Sequence, residues 1–127
     1  MSIISAPKPA EKTKAEAYPQ PIMTFKETYV DFGKMKKGEK RKHVYEFTNT
    51  GNKELIIELV SGCDCTTIVW PEGVVFNPGE KGMITAIFDS TKEHGEVTKT
   101  LDILLPNLNP ETGYQIILEL KFHAIIE

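Results

Sequence analysis

Leu55-Ile56-Ile57-Glu58-Leu59-Val60-Ser61-Gly62-Cys63-Asp64-Cys65-Thr66-Thr67 decides the fold, because it joins the clearest apolar strand of the chain to both of its cysteines. Leu55, Ile57 and Leu59 alternate with other residues, and a period of two marks a half-buried β-strand. The pattern predicts a strand over Glu54 to Val60 with those three side chains inward. Unbroken alternation carries Ser61, Cys63 and Cys65 onto the same inward face and turns Asp64 outward. A bulge at Gly62 would reverse this, since one inserted residue moves every later side chain to the opposite face.

The same rhythm extends both ways. Upstream, a strand is predicted near Phe25 to Phe32, stopping at Gly33 before the charged turn Lys36-Lys37-Gly38-Glu39. The next strand shares His43, Tyr45 and Phe47 on one face, with Tyr45 and Phe47 pointing inward, and ends at the turn Asn49-Thr50-Gly51-Asn52. Downstream, Trp70-Pro71-Glu72-Gly73 reads as a turn with Trp70 plugging one end of the core, and Val74 to Phe76 as a short edge strand. Asn77-Pro78-Gly79-Glu80 is a tight turn in which proline presets φ and glycine permits a positive one. Ile84, Ala86 and Phe88 then alternate inward, a loop runs from Asp89 to Gly95, and Val97, Leu101, Ile103 and Leu105 line a strand that Pro106 ends. A last strand sets Tyr114, Ile116, Leu118, Leu120, Phe122, Ala124 and Ile126 on one side. About seven strands in a span of this size, with almost no helix, predict an all-β, immunoglobulin-like antiparallel sandwich over residues 22–127.

Residues 1–21 differ. Pro7, Pro9, Pro19 and Pro21 stand among Ala, Lys and Glu with Tyr18 as the only aromatic, too little apolar surface to offset the entropy of ordering. The composition predicts an extended arm, either a solvated linker or a segment held by a partner. The net charge of −3 comes from interspersed signs, which gives no basic footprint for nucleic acid or anionic lipid. No apolar run reaches the ~18 residues of a membrane-spanning helix, and Met1 to Ala10 lacks the apolar core of an export signal. The start of the chain thus fits either a cytosolic protein or an exported one whose leader has been replaced by Met1.

Asp31-Phe32-Gly33, Gly38-Glu39, Phe47-Thr48-Asn49-Thr50-Gly51, Leu55-Ile56-Ile57, Cys63-Asp64-Cys65-Thr66-Thr67, Pro78-Gly79-Glu80, Ile84-Thr85-Ala86-Ile87-Phe88 and Gly95 followed by Lys99-Thr100 resemble, in this order, a bacterial family of immunoglobulin-like domains of unknown function. The resemblance spans Phe25 to the C-terminus. It implies distant similarity to Hydin-type domains and major sperm protein, which are binding and scaffold modules, and a place in the cell envelope or outside the cell. Family members carry C-G-C-T where this chain has Cys63-Asp64-Cys65-Thr66. If the glycine serves an unusual backbone angle, Asp64 replaces it poorly, which favours a regular strand here. The resemblance supplies no catalytic residues.

Three readings compete for the thiols. Both are inward, small and apolar beside the Leu55, Ile57 and Leu59 row, which is the reading the strand favours. A disulfide needs Cβ atoms about 3.8 Å apart, whereas alternate strand residues lie roughly 6.5 Å apart, so it requires a turn. Cu(I) or Zn(II) would suit Cys63 and Cys65, with His43, His94, His123 or a methionine completing the shell, yet no histidine stands at a recognisable ligand spacing. No nucleophile motif, phosphate loop or carboxylate pair marks an enzyme, no cofactor is implied, and His94 beside Lys92 and Glu93 reads as a solvated loop residue. Two functions follow. The preferred one is a non-catalytic binding or scaffold module that meets a protein partner, or itself, through an edge strand or the arm. The alternative is a small thiol-redox or soft-metal protein using Cys63 and Cys65.

Overall fold

The computed structural model describes residues 22–127. The arm expected over 1–21, with Pro7, Pro9, Tyr18, Pro19 and Pro21, lies outside the described residues. Eight strands follow in order: β1 (Met23–Phe25), β2 (Tyr29–Met35), β3 (Lys40–Asn49), β4 (Leu59–Ser61), β5 (Thr66–Val69), β6 (Lys81–Asp89), β7 (Gly95–Leu108) and β8 (Gln115–Ile126). They form two four-stranded sheets, ordered β1-β3-β6-β5 and β2-β8-β7-β4, and the described residues contain no helix. The expected sandwich is therefore present. Its sheets are not wholly antiparallel, because β2 runs parallel to β8.

That exception arises where one strand was expected over Phe25 to Phe32. The chain instead changes sheets: β1 pairs with β3, and β2 crosses to pair with β8. Lys26 N donates to Glu46 O on the first side, and Lys121 N donates to Thr28 O on the second. Gly33 does not end the strand. It adopts φ 73°, its N–H is capped by Asp31 Oδ1 at 2.8 Å, and the register slips between Asp31 and Gly33 before β2 continues to Met35.

The core lies between the sheets. Tyr45, Phe47, Ile84, Ala86 and Phe88 point inward from one sheet, and Leu101, Ile103, Leu105, Leu120, Phe122 and Ala124 from the other. The Phe88 and Phe122 rings meet across the gap with centroids 5.0 Å apart. Tyr45 spans it too, its hydroxyl donating to Lys121 O at 2.8 Å, and burial, aided by the nearby Glu27 charge, pushes the phenol up to about 12.

Parity fails in the stretch that was expected to be the third strand. Leu55 and Ile57 are buried as expected, but Leu59 is 45% exposed and Val60 is buried in its place. Leu55 makes an isolated bridge to Phe76, whereas Glu58 N already donates to Leu104 O, so the chain moves over to β7 and shifts its register between Ile57 and Val60. The short edge strand expected over Val74 to Phe76 reduces to that single bridge. Pro106 does not end β7, which continues through an irregularity between Leu104 and Leu108 that accommodates a residue with no N–H. Tyr114 precedes β8 and is 77% exposed, outside the inward row expected for it.

Asn49 was expected to open a turn, yet it is fully buried. Its Nδ2 donates to Lys53 O at 2.8 Å and Phe76 O at 2.9 Å, and its Oδ1 accepts from Gly51 N at 3.0 Å and Ile22 N at 3.3 Å. The side chain is thus satisfied on every side and ties β1, the turn after β3 and the segment before β6 together. Asn49→Ala should lower the unfolding free energy by roughly 2–4 kcal/mol, because it orphans several buried backbone groups at once. Chemical denaturation measures this, and a loss below about 1 kcal/mol would contradict the assigned role.

On the outer face of the second sheet, His123 stands between two carboxylates, to both of which a protonated imidazole donates, with Nδ1 3.1 Å from Asp31 Oδ1 and Nε2 2.7 Å from Glu96 Oε2. Hydrogen bonds to Asp31 first and Glu96 second raise the imidazole above its ordinary range, and the bond from His123 holds Asp31 below the usual carboxylate range. A raised histidine contributes stability fully below about pH 6.5 and loses it as pH rises through the native value; a lowered aspartate contributes above about pH 4 and loses it as pH falls. The melting temperature should therefore fall as pH rises from about 6.5 through the raised native value, and His123→Gln should flatten that step. An unchanged slope in the variant would show that another group carries it.

Candidate functional site

Ser61 ends β4 in one sheet and Thr66 begins β5 in the other, so Gly62 to Cys65 carry the chain across the sandwich. Gly62 fits closely there: a Cβ would meet Ile68 Cδ1 at 3.3 Å, tight enough that the isoleucine would have to shift slightly. Thr66 N donates to Cys63 O at 3.1 Å and closes a turn over Cys63-Asp64-Cys65-Thr66. Aspartate suits such a turn, and the regular strand expected through Asp64 does not form.

The turn changes the state of the thiols. Cys63 and Cys65 form a disulfide with Cα atoms 5.2 Å apart, a separation a regular strand would not allow. The expectation that both fill the core beside Leu55 and Ile57 is corrected: both are only partly buried, with Cys65 resting against the core edge. The register shift before Val60 and the turn after Ser61 together remove them from the inward row.

Polar donors surround the sulfurs. Cys65 N–H points at Cys63 Sγ at 3.3 Å, and Thr66 Oγ1 lies 3.6 Å from Cys63 Sγ and 3.4 Å from Cys65 Sγ. A disulfide sulfur carries no hydrogen, so the hydroxyl is the donor in both contacts. Asp89 N donates to Cys65 O at 2.9 Å and fixes the turn to the end of β6. An open groove of about 400 Å³ lies alongside, lined by Asp64, Cys65, Asp89, Thr91, Lys92 and Glu93. Hydrogen bonds from the Thr91 hydroxyl and then its amide hold Asp89 below the usual carboxylate range, and Glu93 is paired with Lys99 at 3.1 Å.

The histidines do not join this site. His43 packs edge-on against Tyr45 and lies 2.8 Å from Glu27, His94 is exposed in the β6–β7 loop, and His123 sits between Asp31 and Glu96. Among the described residues no group of three His, Cys, Asp or Glu side chains is arranged to hold a metal ion. Trp70 is partly buried against the core, in keeping with a plug at the sandwich end.

The open edges form the second feature. β1 and β4 are three residues long, and β2 carries Asp31, Lys34 and a bulge, all of which oppose pairing with another strand. β5 is Thr66-Thr67-Ile68-Val69, uncharged and β-branched throughout, and pairs on one side only, with β6. Cys65 O bonds to Asp89 N, so the alternation of an antiparallel ladder turns Thr67 toward β6 and leaves the Ile68 N–H and C=O on the open side. Val69 is 57% exposed on the outer face. No separate strand was expected over Thr66 to Val69; the run of four β-branched residues between a glycine-cysteine turn and Trp70-Pro71 was the available signal.

Two packed sheets and a chain that switches between them after its first strand define an all-β, immunoglobulin-like sandwich. The family model described as "Protein of unknown function (DUF1573)" matches residues 23–120, and the chain belongs to that family. Comparison with curated proteins finds no match. Among solved structures, a protein of unknown function from Porphyromonas gingivalis W83 is similar at TM-score 0.67 and 20% identity over 96% of this chain and 53% of that one. The ASH / PapD-like domain 7 of human CEP192 is similar at TM-score 0.61 and 15% identity, covering 100% of this chain and 96% of that one. The VesB protease of Vibrio cholerae matches at TM-score 0.62 and 10% identity, covering 91% of this chain and 34% of the protease. The chain thus spans about a third of the protease and about half of the P. gingivalis protein, and at these identities the likeness is one of fold. No helix among the described residues is long and apolar enough to cross a membrane.

Proposed function

We propose that this chain is a non-catalytic protein-binding or scaffold module of a larger assembly, and that its docking element is the open edge of β5. The observation that carries this is the contrast among the edges: β5 alone is uncharged, unbulged and longer than three residues. An extended segment from a protein partner or a second copy would add to β5 by backbone hydrogen bonds at Ile68, with Thr67 and Val69 presenting side chains on the outer face. Likeness to a PapD-like domain supports a binding role, and the family resemblance directs the search for partners to the cell envelope. The arm over residues 1–21 is a second contact in this reading.

Val69→Lys places a charge at the edge without touching the core, and Glu119→Lys places one on an exposed position of the other sheet as a control. Crosslinking in the native host should yield partner adducts with the unaltered chain and with Glu119→Lys, reduced at least about tenfold in Val69→Lys, at unchanged melting temperature. Equal adducts with Val69→Lys would remove β5 from the account. Loss only on deletion of residues 2–21 would transfer the role to the arm.

A further inference from the structure

We infer that the Cys63–Cys65 disulfide is a thiol–disulfide exchange site whose substrates are thiols and dithiols of peptides or small molecules, with Cys65 the sulfur attacked and Cys63 the sulfur released. The inference stands on the turn and its groove and does not need β5 to bind anything.

Three observations converge. The bond closes a loop of only Cys63, Asp64 and Cys65, so it restrains the unfolded chain less than a bond closing a longer loop would. Both residues are partly exposed, and of the two sulfurs only that of Cys65 belongs to a residue lining the groove. The asymmetry of donors favours Cys63 as the departing sulfur: the Cys65 N–H points at Cys63 Sγ at 3.3 Å, while the Thr66 hydroxyl, with its one proton, lies within reach of both sulfurs and can turn to Cys63 as the bond breaks. Exchange runs faster when the departing sulfur is the better-stabilised thiolate, and backbone N–H and hydroxyl donors supply that stabilisation.

The chemistry closes without a further cofactor. A substrate thiolate attacks Cys65 Sγ; the new sulfur–sulfur bond forms as the Cys63–Cys65 bond breaks, and the electron pair leaves on Cys63 as a thiolate held by its two donors. With a dithiol substrate, the second substrate thiolate attacks the substrate sulfur of the mixed disulfide and releases Cys65. The substrate is oxidised by two electrons to a disulfide, the protein disulfide is reduced to two thiols, and the two substrate protons pass to Cys63 and Cys65 through solvent.

The test uses the full chain, treated with oxidised glutathione and then kept in native buffer. Exposure to reduced glutathione, acid quench, alkylation and tandem mass spectrometry should place glutathione on Cys65 and the alkyl group on Cys63. Dithiothreitol should reduce the folded protein fully, yielding one equivalent of its cyclic disulfide. Thr66→Val should slow this reaction about fivefold at pH 7 and move the pH profile of Cys63 alkylation in the reduced protein toward alkaline, at unchanged melting temperature, with Thr66→Ser restoring both. Two free thiols after treatment with oxidised glutathione, reduction only once the protein is denatured, or glutathione carried on Cys63 would each overturn the assignment. An unaltered reduction rate and Cys63 alkylation profile in Thr66→Val would overturn the role of the hydroxyl.

Discussion

The sandwich depends on a buried amide. Asn49 stands at the end of β3, in the apolar layer, and its four side-chain hydrogen bonds reach Ile22, Gly51, Lys53 and Phe76. Its own backbone adds two more, donating to Glu80 O at 2.9 Å and accepting from Gly79 N at 2.7 Å. One residue therefore joins the entry to β1, the turn after β3 and the Asn77–Glu80 turn before β6. Ser90 does comparable work at the β2–β3 turn, where its hydroxyl donates to Glu39 O at 2.7 Å and accepts from Gly38 N at 3.0 Å. Such buried side-chain networks specify loop positions that hydrophobic burial, being non-directional, leaves open.

With those loops held, the chain between β3 and β6 is free to do something less regular. It shifts register between Ile57 and Val60, pairs briefly with β7, and crosses the sandwich through Gly62 to Cys65 to become β5. Both features of functional interest result from that crossing. The turn brings the cysteines close enough to bond and lifts them out of the core; the strand that follows is the open edge. The groove beside Cys65 is completed by the β6–β7 loop, which Asp89 anchors by donating its backbone N–H to Cys65 O.

Much of this was legible from the residues. Period-two alternation located the inward rows of β3, β6, β7 and the second half of β8, because each has one buried and one solvated face. Asn77-Pro78-Gly79-Glu80 announced its turn, and Gly79 takes φ 90° as that sequence requires. The failures share a cause. Strand switching at Lys26 to Thr28, the bulge at Gly33 and the shift before Val60 each change the side-chain face without breaking the apolar pattern, so alternation read through them. The turn after β3 forms as expected, with Asn49 Oδ1 accepting from Gly51 N, but only tertiary structure shows that the same side chain is buried and also bonds Ile22, Lys53 and Phe76. The cysteine turn was hidden by the same parity argument, since a strand that had already slipped no longer delivers Cys63 and Cys65 to the core.

The central claim is that β5 is an open, pairing-competent edge that a protein partner covers. Residue-resolved hydrogen exchange of the Ile68 amide tests it most directly, first in the free chain and then in the assembly isolated from its native host. The account predicts fast exchange in the free chain, against slow exchange at Ala86 and Phe88 in β6, and protection of Ile68 in the assembly. An Ile68 amide as protected in the free chain as those of β6, or one left unprotected in the assembly, would contradict it.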